Sequence, residues 1–148
     1  MFNLEKQDLK NKKVIIRVDF NVPLDDKFNV TDTTRIEACK ETIDLILDKG
    51  GTCILISHFG RPKEREDKFS LKHIVKTVSE VLDHPVVFHN DCIGNEVQEV
   101  ISNLNSGDII LLENLRFYKE ETLGDSLFAE ELSKLGDIYV NDAFGTCH

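Results

Sequence analysis

Five short apolar runs recur along this chain: Val14–Val18, Cys53–Ile56, Val86–Phe88, Ile109–Leu112 and Ile138–Val140. Each is rich in Val and Ile and bounded by polar or turn residues, the pattern of strands buried on both faces. Between them the hydrophobic spacing becomes helical. Ile36, Cys39, Ile43, Ile46 and Leu47 share one face, with Thr34 and Glu37 spaced as a capping box and Gly50-Gly51 as the stop. A second stripe holds Leu71, Ile74, Val75, Val78, Val81 and Leu82 between an N-cap at Ser70 and a stop at Pro85. A third places Val97, Val100, Ile101 and Leu104 together, and a fourth runs from about Asp125 to Leu135, ahead of Gly136. Strands that alternate with helices and are apolar throughout need cover on both sides. They predict an α/β fold: a three-layer, open parallel sheet with helices on both faces and right-handed crossovers, Rossmann-like in architecture. The 148 residues carry no repeat or low-complexity linker, so one unit is expected.

The formal charge of −9 argues against nucleic acid or an anionic membrane as a partner, because a phosphate backbone demands a basic face. No apolar run reaches the ~18 residues of a membrane span, and the charged start Met1-Phe-Asn-Leu-Glu-Lys-Gln-Asp8 is unlike a signal peptide. A cytoplasmic protein is expected. Cys39, Cys53, Cys92 and Cys147 form no CxxC pair, and at least two sit inside apolar segments, where they read as small buried hydrophobes. His58, His73, His84, His89 and His148 lack the spacing of a helical metal site, so no structural metal is expected. The phosphate loop GxxxxGK[ST], the dinucleotide fingerprint GxGxxG and the GxSxG elbow are absent from the sequence.

Ligands of open α/β sheets bind beyond the carboxyl ends of the strands. Polar residues succeed every run here: Asp19, Asn21 and Pro23, with Arg35 opening the first helix; Ser57, His58, Gly60, Arg61 and Pro62; His89, Asn90 and Asp91; Glu113, Asn114 and Arg116; Asn141, Asp142 and Gly145. The topology brings Arg35, His58, Arg61 and Arg116 to one edge, which predicts a pocket for a small anion held by guanidinium forks. Asp19 would repel an anion. With Asn21 it could bind a ligand hydroxyl, or it could simply close the turn after the strand. Gly60 would let the backbone approach a ligand closely. The charged run Lys63-Glu-Arg-Glu-Asp-Lys68 reads as a solvated loop.

Four segments resemble the signature stretches of the phosphoglycerate kinase family: Arg17-Val-Asp-Phe-Asn-Val-Pro23, Ser57-His-Phe-Gly-Arg-Pro62, Leu111-Leu-Glu-Asn-Leu-Arg-Phe117 and Asn141-Asp-Ala-Phe-Gly-Thr-Cys-His148. They occur in the family's order. Phe59 and Cys147 stand where the family more often has Leu and Ala. The resemblance implies a glycolytic kinase of two α/β domains, exchanging a phosphoryl group between 1,3-bisphosphoglycerate and MgADP to give 3-phosphoglycerate and MgATP. Residues 1–148 resemble its N-terminal, 3-phosphoglycerate-binding domain, with the nucleotide expected on a C-terminal domain outside this chain. By the same resemblance Asp19, Phe20, Asn21, Arg35, His58, Phe59, Gly60, Arg61 and Arg116 are expected to bind substrate, and Arg35 to be catalytic. His58, Arg61 and Arg116 would hold the 3-phosphate, Asp19 and Asn21 the glycerate, and Arg35 the transferred group. A monomer is expected.

The final strand–helix unit reads as unfinished, and the family's next arginine and closing strand lie beyond His148, so the fragment is expected to lack turnover. The competing readings are a stand-alone module binding a phosphorylated metabolite and a receiver-like regulatory domain. A receiver would need an acidic cluster with a lysine after the fifth strand, where Asn141-Asp142-Ala143 stands.

Overall fold

The computed structural model describes residues 4–141, and the five apolar runs become one all-parallel sheet. Its strands are β1 (Lys13–Arg17), β2 (Thr52–Ile56), β3 (Val87–His89), β4 (Ile109–Leu112) and β5 (Ile138–Asn141), in the spatial order β3-β4-β2-β1-β5. Register aligns Tyr139, Ile15, Ile54 and Ile110 across four neighbouring strands. Because side chains alternate between faces, the sheet divides the core in two. Val14, Ile16, Cys53, Leu55, Ile109 and Leu111 face one layer, and Ile15, Ile54, Ile56, Ile110 and Leu112 face the other.

The first layer holds α1 (Thr34–Ala38), α2 (Lys40–Asp48) and α3 (Val75–Leu82); the second holds α4 (Asn95–Ser102) and α6 (Ser126–Ser133). The three-layer α/β architecture expected from the alternation is the one that forms. Cys39, Cys53 and Cys92 are buried, and Cys147 lies outside the described residues. Burial pushes the Cys53 and Cys92 thiols far above their ordinary range, so both are neutral at physiological pH.

Three expectations need correction. The strands are not equally buried: β2 and β4 are covered throughout, but β3 and β5 are edges, with Val87 51% and Tyr139 52% exposed. The first helix is two helices, broken at Cys39, whose N–H turns back to Ile36 O at 3.3 Å in a tighter, i−3 bond. Its capping box does not form either. Asp32 takes both the Thr34 N–H (2.9 Å) and the Thr34 hydroxyl (2.7 Å), while Glu37 accepts from the Thr33 hydroxyl at 3.0 Å. Asp32 wins because its acceptor-only carboxylate can take both donors at once.

The second stripe does begin at Ser70, whose Oγ accepts the Lys72 N–H, but as a 3₁₀ turn over Leu71–His73 before α3. Asp83, left-handed at φ 52°, ends that helix before Pro85 is reached. Asp125 caps α6, accepting the N–H groups of Leu127 (2.7 Å) and Phe128 (3.2 Å). Alongside it runs α5 (Lys119–Leu123), which the sequence periodicity does not reveal. A cleft of about 480 Å³ opens between β1, β5 and these two helices, lined by Ile15, Phe128, Leu132 and Tyr139.

Candidate anion-binding site

The sheet order sets β4, β2 and β1 side by side, so the loops leaving their carboxyl ends meet. Val18 N–H still follows the ladder, donating to Ile56 O at 2.9 Å, and the two chains then separate as loops. Ser57, fully buried, ties them: its Oγ accepts the Phe20 N–H at 3.0 Å and donates to His58 O at 2.8 Å. Asn21 Oδ1 accepts the Gly60 N–H at 2.8 Å, and Arg116 Nη1 approaches Gly60 O at 3.5 Å. The Gly60 peptide is thus held from both sides. Gly60 sits at φ +62°, and a Cβ there would lie 2.5 Å from the Phe69 ring, so no other residue fits without displacing that ring.

Arg35 reaches in from α1, donating from Nη1 to Asn21 O (2.7 Å) and to Asp19 Oδ1 (3.2 Å). Asp19 Oδ1 also accepts the Asn21 N–H at 3.1 Å. It therefore closes its turn and serves as counter-ion to Arg35. His58 is half-buried, and burial, reinforced by the charge of Arg116, holds its pKa below the ordinary 6.5, with Asp19 opposing. The imidazole is neutral at pH 7 and stands within electrostatic reach of Arg116, Asp19 and Arg17. Asp19, Asn21, Arg35, His58, Gly60 and Arg116 thus meet at one rim, and Arg61 follows Gly60 with its side chain in solvent.

Phe20 and Phe59 do not present themselves there. Their side chains are 0% and 6% exposed, inside the core, and their peptide groups are engaged with Ser57, Val22 and Asn114. The rim residues after β3 also stand apart, because β3 is the far edge of the sheet. Asp91 instead accepts from the Tyr118 hydroxyl at 2.6 Å and pairs with Arg65 at 3.8 Å. Arg65 donates to Asn90 O at 3.1 Å and lies over the Phe117 ring, 5.1 Å from its centroid. The charged run 63–68 is consequently not a wholly solvated loop, since one of its arginines fastens it to the exits of β3 and β4. Asn141 ends β5, while Asp142, Gly145 and the rest of the last signature segment lie outside the described residues.

Two features of the site have roles that the sequence does not reveal, although Glu113 and Asn114 follow a strand as the rim residues do. Arg17, the last residue of β1, pairs with Glu121 of α5, and its one mark is a cation inside an otherwise apolar run. Glu113 and Asn114 follow β4 as fully paired, buried polar groups. Glu113 accepts from Ser70 Oγ (2.7 Å), Leu71 N (2.9 Å) and Asn114 N (2.9 Å), fastening the start of the α3 segment to the pocket floor.

An open parallel α/β sheet here carries guanidinium groups, an imidazole and a pinned glycine peptide at its strand ends, a set of groups suited to a small anion. The phosphoglycerate kinase family model matches residues 4–148. The chain is 49% identical over 145 residues to the phosphoglycerate kinase of Aquifex aeolicus and 52% identical over 148 residues to that of Dictyoglomus turgidum. It is 52% identical over 145 residues to the cytosolic phosphoglycerate kinase 3 of Arabidopsis thaliana. These alignments cover 98–100% of this chain and 36–37% of the relatives, so the chain spans little more than a third of their length. The crystal structure of the Pyrococcus horikoshii OT3 phosphoglycerate kinase superposes with a TM-score of 0.86 at 34% identity, covering 97% of this chain and 37% of that one. The structure of the Coxiella burnetii phosphoglycerate kinase gives 0.81 at 33% identity, covering 94% of this chain and 34% of that one. This chain belongs to the phosphoglycerate kinase family. That membership sets aside the receiver-like reading.

Proposed function

We propose that this chain supplies the 3-phosphoglycerate site of a phosphoglycerate kinase, and that the rest of such an enzyme carries the nucleotide. The supporting observation is the convergence of Arg116, His58 and the pinned Gly60-Arg61 corner opposite Asp19, Asn21 and Arg35. Arg61 and Arg116 bind the 3-phosphate with His58 beside them, each well-made charge-assisted bond contributing about 1.5–3 kcal/mol. Asn21, its Oδ1 already taken by Gly60, offers its Nδ2 donors to the glycerate, and Asp19 can accept a hydroxyl. Phe20 and Phe59 support this pocket from beneath rather than lining it.

The reaction moves the phosphoryl group of the 1-acyl phosphate to the terminal phosphate oxygen of ADP. The acyl oxygen–phosphorus bond breaks, leaving the carboxylate of 3-phosphoglycerate, and a new phosphorus–oxygen bond completes ATP. Arg35 is about half exposed, and leaving Asp19 would let its fork meet the transferred group and offset charge developing on the equatorial oxygens. A magnesium nucleotide is the co-substrate.

The reading takes residues 1–148 as one domain of a longer enzyme, in keeping with relatives of which the chain spans little more than a third. A cytoplasmic enzyme without nucleic-acid or membrane partners fits the charge of −9 and the cytosolic names of three plant relatives, and a monomer is proposed with it. No described helix is long and apolar enough to cross a membrane.

Titrating the chain with 3-phosphoglycerate and separately with ADP, followed by amide chemical shifts, tests the proposal. Shifts with 3-phosphoglycerate at Gly60, Arg61 and Arg116 are expected; a response to ADP alone at these residues would refute it.

A further inference from the structure

The geometry points to Asn114 as the positioning residue of this pocket: it touches no ligand, and it sets the angle between the two loops that do. The inference rests on the pocket's reading as a phosphorylated-acid site. Asn114 is 0% exposed, at the exit of β4. Its side-chain amide makes four hydrogen bonds. Oδ1 accepts the N–H groups of Phe59 and of Arg116, both at 3.0 Å, and Nδ2 donates to Phe59 O at 2.6 Å and Phe69 O at 2.9 Å. Both donors of an asparagine are thereby used and its oxygen is doubly occupied, so the group has nothing left to offer a substrate.

The four bonds join specific groups. Phe59 lies between His58 and Gly60, and gripping both its N–H and its C=O with one planar amide fixes the peptide planes on either side. Those planes aim the His58 ring and the Gly60-Arg61 corner. The bond to Arg116 N–H orients the start of the opposite arm, and Leu115 N–H adds a parallel tie to Ser57 O at 3.0 Å. The bond to Phe69 O holds the ring that packs on Gly60. Residues separated by 55 positions in sequence are thus brought to one register by a single side chain. A hydrophobic residue could fill the volume, but it would leave two N–H and two C=O groups buried without partners and the two arms free to splay.

Asn114→Asp separates positioning from mere stability. The carboxylate keeps the two acceptor bonds, loses both donor bonds and sets a charge against the Phe59 and Phe69 carbonyls. In a folded N114D chain, held well below its melting temperature at pH 8, the Kd for 3-phosphoglycerate is expected to rise about 10- to 100-fold, the scale on which misplaced binding groups are felt. Protonating that buried carboxyl restores one donor. The N114D-to-unmodified ratio of Kd should therefore shrink toward unity as the pH is lowered to 5. It is measured at pH values where near-UV circular dichroism shows both chains fully folded, so that the stability lost to a buried carboxylate does not enter the ratio.

If the unmodified chain binds and N114D binds within twofold of it at pH 8, or the ratio does not fall with pH, Asn114 is not a positioning residue. If the unmodified chain itself fails to bind, the pocket reading falls and this role with it. Should N114D not fold, Asn114→Ser, neutral and smaller, must weaken binding at least tenfold; equal affinity overturns the assignment.

Discussion

His58 sits where burial, Arg116 and Arg17 disfavour its imidazolium, with Asp19 and Glu121 pulling the other way. Its folded pKa lies below 6.5, so above that value it is neutral in both folded and unfolded chains and adds no pH dependence. As the pH falls through 6.5 toward the folded value, the unfolded chain takes up the proton first and stability declines. Arg116→Ala removes one lowering cause, and the His58 titration followed by NMR should move up. A dianionic phosphate between the two should move it further, so that 3-phosphoglycerate binding near pH 6 takes up protons, which calorimetry in buffers of different ionisation enthalpy detects. Arg61→Ala and Arg116→Ala should each weaken 3-phosphoglycerate binding by about 10- to 100-fold, the loss of one charge-assisted bond. In a complete kinase, ADP affinity should stay within a factor of two. Gly60→Ala meets both a left-handed backbone and the Phe69 ring, and should cost about 2–3 kcal/mol of stability in urea denaturation.

At the scale of elements, Asp125 is the side chain that starts α6, and Asp125→Ala should lower stability by about 1 kcal/mol without touching the pocket. Unchanged 3-phosphoglycerate affinity together with a lower melting temperature is the expected pair of results. All five strands and the helical stripes were legible in sequence because a two-faced strand and an amphipathic helix leave different periods in the apolar residues. Periodicity carries no spatial order. Nothing within Val86–Phe88 says that it will be an edge, because its exposure depends on β4 returning beside it. The guanidinium groups and His58 were legible as a rim because they follow strands. Arg17 was not, since its partner Glu121 is 104 positions away, nor was Asn114, because an asparagine after a strand reads locally as a turn residue. The capping box failed through competition among three adjacent candidates, Asp32, Thr33 and Thr34, which spacing alone cannot rank.

For the whole molecule, an excess of negative charge surrounds a rim that gathers Arg35, Arg61 and Arg116. Such a shell discourages polyanions, while a small anion in the pocket responds chiefly to its nearest neighbours, because charges more than about 10 Å away are screened at 0.1 M salt. On the proposal that the nucleotide is held by further chain, the 148-residue chain is expected to form no ATP from 1,3-bisphosphoglycerate and ADP. A coupled assay showing a rate proportional to chain concentration, in material free of complete enzyme, would contradict this. The strand order has one more effect, felt while the chain is being made. β1 is completed early, yet its outer neighbour β5 is the last of the five strands to leave the ribosome. At ~5–20 residues per second, the roughly 120 intervening residues leave the apolar edge of β1 open on the nascent chain for about 6–24 s, a window in which chaperone capture or pairing with another polypeptide competes with the native partner.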